Sequence, residues 1–385
     1  MRHFCHFRAF FRVNIASWAK EYLLTLFNKY DIVVLCEALH TEDTQWDFIY
    51  DVISDKRFVE NVGHVFTEYG CAREQAKVDS FMRTTYEDSI SLAKAAATLM
   101  NYHSGNFYFF MQKLHKFNQS LPDSLKVQEH FTDILSWNYL AGAYYDSISN
   151  LVGNGEDALL SYRDSLMASV VIDWYQQTRK KCLVITNTRH AFIVRDSMNP
   201  DRFDNEAQYI YEMFPDKTAN VMLGGLCVNQ MYYSPIQHGL WDRALKNNGN
   251  KAVGLDFTGS PFGEDQFDRD PRKRMYQYQY QDVFTGYVFY KPEKEYTHSE
   301  QYYKRYAAEQ EYEWATQNNL IDSAQGKNYI GMYQDTGGQL GNAAIMSLFI
   351  TRYHFIDLLI WGIWGFISII ITICNLIFKT KNNYD

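Results

Sequence analysis

Short apolar runs rich in Val, Ile, Leu and Phe, separated by longer amphipathic stretches, constrain this chain more than any other feature. They fall at Ile32 to Leu35, Val62 to Thr67, Cys182 to Thr186, Asn220 to Leu223, Ala252 to Phe257 and Val283 to Tyr290. Runs of this length bounded by polar residues predict buried strands. Helical periodicity is expected over Ile15 to Lys29, Thr44 to Ile53, Arg73 to Phe81, Ser89 to Asn101, Phe107 to Asn118 and Leu159 to Gln177. Strands alternating with helices of this kind predict an α/β fold, a mostly parallel central sheet with flanking helices. Residues 83 to 150 offer at most a short strand near Leu125 to Val127, and read as a helical insertion over the sheet.

The pattern fills residues 1 to 290, and a hydrophobic content of 46% over 385 residues is ample for a core of that size. Residues 291 to 352 are polar and rich in Tyr, with a helix expected from Ser299 to Asn318, and form a cap or stalk. They lead to a predicted transmembrane helix within 353 to 378. Its core, Leu358 to Phe378, has the length that crosses a hydrocarbon layer of roughly 30 Å. Trp361 and Trp364 at one end, with Lys379 and Lys381 in the short tail 379 to 385, suit interfacial anchors. The first residues carry Arg8, Arg12 and Lys20 among apolar side chains and do not read as a signal peptide. The expectation is a single-pass C-terminal membrane anchor with the main domain in the cytoplasm.

The formal net charge of -8 excludes nucleic acid as the main partner, because phosphate binding needs clustered Lys and Arg. The basic run Arg272 to Arg274 lies beside Asp268 and Asp270 and reads as a solvated loop. Six Cys without a CxxC pair or regular spacing describe free thiols in a reducing compartment. The partner these properties leave is a small-molecule substrate.

In an open α/β sheet, ligands bind beyond the carboxyl ends of the strands. "IVVLCEALH" delivers Glu37 and His40 there, "HVFTEYG" delivers Glu68, and "CLVITNTRH" delivers Asn187 and His190. Three strand ends thus supply two His and two carboxylates to one rim. Two chemistries fit. His40 can act as general base on water, with Glu37 or Glu68 fixing its tautomer and a cation offsetting the oxyanion. Alternatively His40, His190 and Glu68 can ligate a divalent metal that acidifies a bound water. Both give hydrolysis. There is no G-x-S-x-G, G-x-G-x-x-G or Walker A pattern to support an acyl-enzyme esterase, a dinucleotide site or a P-loop.

The succession "VVLCEALHTEDTQWDFIYDVI", "VFTEYG", "SYRDSLMASVVIDWY" and "KKCLVITNTRHAFI" resembles the erythromycin-esterase-like family, within a broader group that includes ChaN-like and TraB-like proteins. The resemblance runs from about Asp31 to Tyr290. The family's Gly-Glu-x-x-His motif matches Glu37 and His40, its second strand-end acid matches Glu68, its Arg-Asp-x-x-Met-Ala motif matches Arg163, Asp164, Met167 and Ala168, and its later His matches His190. The resemblance implies a hydrolase without a covalent Ser. His40 would be the base, Glu37 and Glu68 would orient it or the water, and Arg163, at a helix start, and His190 would stabilise the transition state. Cys36 stands where the first motif has Gly, Thr41 where a second Gly follows, and Asn187 where the family has a first His. These departures keep a second reading open, a non-catalytic ligand-, haem- or metal-binding member of the same fold.

Overall fold

The computed structural model describes residues 17–37, 42–97, 99, 105–133, 156–194, 205–225, 227–228, 232–233, 236–268 and 277–297. His40, the basic run 272–274, the expected helix 299–318 and the expected membrane span 353–378 lie outside them. Among the described residues no helix is long and apolar enough to cross a membrane.

The strands are β1 (Ser17–Trp18), β2 (Ile32–Glu37), β3 (His64–Cys71), β4 (Gln128–Asp133), β5 (Cys182–Asn187), β6 (Thr218–Leu223), β7 (Cys227–Val228), β8 (Tyr232–Tyr233), β9 (Val253–Asp256) and β10 (Gly286–Phe289). Eight of them form one sheet in the order β1-β9-β10-β6-β2-β5-β3-β4, and β7 and β8 pair separately. The pairs from β10 through β4 are parallel, whereas β9 and β1 add antiparallel at one edge. The mostly parallel sheet is therefore as expected.

The helices are α1 (Ala19–Leu26), α2 (Asp43–Ile53), α3 (Lys56–Asn61), α4 (Gln75–Arg83), α5 (Ser89–Ala97), α6 (Gly105–Gln119), α7 (Glu156–Thr178), α8 (Glu206–Met213), α9 (Leu240–Asn247) and α10 (Tyr280–Val283). Period-two alternation sorts the sheet residues between two cores. Val33, Leu35, Val65, Tyr69, Leu183 and Ile185 pack with α1, α2, α4 and α6. Ile32, Val34, Cys36, Phe66, Cys182 and Val184 pack with α7 and α8.

Four expectations change. Residues 83 to 150 contain β4, a full edge strand beyond Leu125 to Val127, so α4 to α6 are the crossover joining the parallel neighbours β3 and β4. The strand reads "QEHFTD", too polar to resemble a buried strand, because one of its sides is an edge. The chain around Ser17 is a short strand before α1, held by pairing to β9 despite the helical pattern. Arg163 lies inside α7 and not at its start. The packed region continues past Tyr290: Asp43 donates its backbone N–H to Thr297 O at 2.7 Å, and Tyr296 stacks on Tyr290.

Candidate functional site

Strand alternation decides where each strand-end acid points. Glu37 continues the series Val33, Leu35 toward α2 and α6, while Glu68 continues His64, Phe66 toward α7. The rim is therefore two clusters on opposite faces of the sheet, meeting at the end of β5.

On the first face Glu37 is fully buried. The Tyr69 hydroxyl donates to Oε1 at 2.8 Å and to Oε2 at 2.9 Å. Asn187, paired in register with Glu37, aims its Nδ2 at the Glu37 carbonyl and Oε1, each at 3.4 Å.

On the second face Arg163 donates from Nε and Nη2 to the two oxygens of Asp133, at 3.0 and 2.9 Å, and from Nη2 to Glu68 Oε2 at 3.3 Å. Its Nη1 lies 3.3 Å from His190 Nε2. His190 Nδ1 bonds Asp164 Oδ1, which also accepts the Glu206 backbone N–H at 3.1 Å. A guanidinium can only donate, so His190 Nε2 is the acceptor and Nδ1 carries the proton toward Asp164. Arg163, Asp133, Asp164, His190 and Glu68 are all buried.

Asn187 links the clusters. Its backbone N–H donates to Glu68 Oε1 at 2.7 Å while its side chain faces Glu37. The polar residue at the end of β5 is thus built into the rim. Cys36 is fully buried in the core against α7 and α8, facing away from Glu37.

Glu206, at the first turn of α8, is fully buried, and neither carboxyl oxygen makes a hydrogen bond among the described residues. Burial pushes its carboxyl well above the usual range. The neighbouring Glu68 and Asp164 charges add to that rise, and the Thr186 hydroxyl, which faces the carboxyl outside hydrogen-bond geometry, and Arg163 oppose it.

Of the residues expected from sequence, the structure brings Glu68, Arg163 and His190 into one cluster and joins Glu37 to them through Asn187; His40 lies outside the described residues. Three contributors were not anticipated. Tyr69 is written directly after Glu68, and period two sends it to the opposite face, toward Glu37. Asp133 is hidden in a strand too polar to be recognised. Glu206 sits in a helix that the sequence pattern did not single out.

The described part of the metal set does not fit a metal. Arg163 faces both His190 Nε2 and Glu68 Oε2, themselves 3.8 Å apart, and takes the Nε2 lone pair that a metal would need. Among the described residues no cluster of three His, Cys, Asp or Glu is arranged for a metal ion.

No family model and no curated protein matches the chain. Among solved structures it is similar to a succinoglycan biosynthesis protein, at 8% identity and a TM-score of 0.49 over 69% of this chain and 88% of that one. It is similar to an erythromycin esterase mutant in its open conformation, at 11% identity and a TM-score of 0.47 over 70% and 92%. ChaN of Campylobacter jejuni, solved with cofacial haem binding, matches at 14% identity and a TM-score of 0.31 over 55% and 89%.

Proposed function

We propose that this chain is a hydrolase that activates water at the strand-end rim and cleaves an ester, lactone or amide without a covalent serine intermediate. The observation that carries the reading is Asn187, which serves Glu68 with its backbone and Glu37 with its side chain and so ties both carboxylate clusters into one constellation. In this reading His40, three residues beyond Glu37, removes the proton from water, and Glu37 orients it. Water attacks the acyl carbon, and the proton passes to the departing alcohol or amine. Arg163 acts mainly by fixing Glu68 and the His190 tautomer, since four of its contacts go to Asp133, Glu68 and His190. That is a more structural task than direct stabilisation of an oxyanion. Residues 353–378 anchor this body to a membrane, and the substrate is a small molecule.

The experiment is a hydrolysis screen of the full chain over esters, lactones and amides, beside His40→Ala and Glu37→Gln. Turnover lost in both variants supports the reading. Turnover that survives both sinks it. The engagement of Arg163 by Asp133, Glu68 and His190 favours the second reading, a non-catalytic ligand-binding protein; a stoichiometric ligand or haem chromophore in purified protein that hydrolyses nothing would establish it.

A further inference from the structure

Tyr69 belongs to no motif that the chain's chemistry suggested, yet its position is the most tightly determined on the rim. Its strand β3 is not a neighbour of β2, because β5 runs between them. Two strand spacings are about 9–10 Å, which a phenol can cross and a Ser or Thr cannot. The ring is fixed on its way across by Phe107, stacked at 4.4 Å and 14°, and by the edge of Trp46 at 5.3 Å and 85°. All three side chains are buried. Phe107 comes from α6 and Trp46 from α2, so two helices of one core aim a single hydroxyl at a carboxylate two strands away. That hydroxyl reaches both oxygens of Glu37 almost equally, at 2.8 and 2.9 Å, which defines the rotation of the carboxylate as well as its place.

We infer that Tyr69 is a positioning residue that fixes the plane of the Glu37 carboxylate. Its consequence for turnover rests on the hydrolase reading; its hold on Glu37 does not. Tyr69 acts through Glu37, so the two side chains form one unit, and removing the second member after the first changes nothing more.

The test uses the full chain with Tyr69→Phe, Glu37→Gln and the double variant. Tyr69→Phe should lower kcat about 10-fold, the size of one hydrogen bond to a charged group, with KM within about two-fold of wild type. In the Glu37→Gln background, which lacks both turnover and the carboxylate, the same change should leave the carboxylate region of the infrared spectrum unshifted. Infrared difference spectra give a readout without turnover. The Glu37 carboxylate stretching bands, isolated by subtracting the Glu37→Gln spectrum, should shift when the Tyr69 hydroxyl is removed. Bands unmoved by Tyr69→Phe, or carboxylate bands that shift equally in the Glu37→Gln background, would overturn the inference. A wild type without any turnover removes the hydrolase reading and leaves the infrared bands to decide the role of Tyr69. Should Tyr69→Phe fail to fold, Phe107→Leu loosens the ring while keeping the hydroxyl, and the Glu37 bands should then broaden; bands as sharp as wild type would count against the inference.

Discussion

Arg163 grips Asp133 through two parallel contacts, Nε to Oδ1 at 3.0 Å and Nη2 to Oδ2 at 2.9 Å, with both side chains buried between β4 and α7. This pair joins the edge strand to the helix that carries half of the rim. Removing one partner of a buried ion pair leaves the other charge uncompensated, which costs ~3–5 kcal/mol. Here Glu68 Oε2, 3.3 Å from Nη2, still compensates part of the guanidinium charge. Asp133→Ala should therefore destabilise the fold toward the low end, about 3 kcal/mol, in denaturant unfolding at neutral pH. An unfolding free energy equal to wild type would show that the pair contributes nothing net.

Two sets of titratable groups should drive stability in opposite directions as pH changes. Glu42 caps α2, accepting the Gln45 N–H at 2.9 Å and the Tyr290 hydroxyl at 2.5 Å. Burial nevertheless pushes its carboxyl up to about 7, with the Tyr290 hydroxyl the main opposing influence. The folded state thus keeps a proton that the unfolded chain releases near 4.5. This contribution is fully present below about 4.5 and is lost as pH rises through about 7, a change on the order of 3 kcal/mol. His64 and His130, bonded ring to ring at 3.1 Å, behave the other way. Burial, with Lys180 near His64 and His64 near His130, lowers them to about 4 and about 3. Their contribution is present above the unfolded value near 6.5 and is lost as pH falls through about 4 and then about 3. Between about 4.5 and 6.5 the two sets offset each other. The stability of Glu42→Gln should then fall more steeply than wild type on acidification, and that of His64→Gln/His130→Gln should rise. Unfolding curves at several pH values check this, and a Glu42→Gln profile parallel to wild type would refute the Glu42 contribution.

The central strands were legible because burial on both faces makes "DIVVL" and "CLVIT" continuously apolar, a signal that survives without any tertiary information. The strand-end rule also points to Glu37, Glu68, Asn187 and His190, which lie at or just beyond the ends of β2, β3 and β5. β4 escaped because an edge strand need not be apolar throughout, and Asp133 escaped with it. The partnership of Tyr69 and Glu37 depends on strand order: only with β5 inserted between β2 and β3 are the two side chains at phenol distance. Nothing local to either strand encodes that insertion. Arg163 was recognised by its motif, but its engagement by Asp133, Glu68 and His190 depends on packing between α7 and the sheet, which no spacing along the chain reveals.

Glu206 offers the sharpest test of how charge is distributed in the second cluster. Glu68 receives the Asn187 N–H and Arg163, Asp133 receives Arg163 twice, and Asp164 receives His190 and the Glu206 N–H. The Glu206 carboxyl, equally buried, receives no hydrogen bond among the described residues. An ionised carboxylate there would be uncompensated beside two others, so burial and the Glu68 and Asp164 charges favour the protonated form of Glu206. Glu206→Gln preserves size and neutrality and should leave unfolding stability within about 1 kcal/mol of wild type. Glu206→Met removes two unsatisfied oxygens and should be neutral or stabilising by about 1–2 kcal/mol, because an unpaired buried polar group costs that much to retain. Asp164→Asn, which weakens a bonded carboxylate, should be destabilising under the same conditions. If Glu206→Met instead cost more than about 2 kcal/mol, the carboxyl would have a partner worth keeping, and Glu206 would belong with the charged members of the rim.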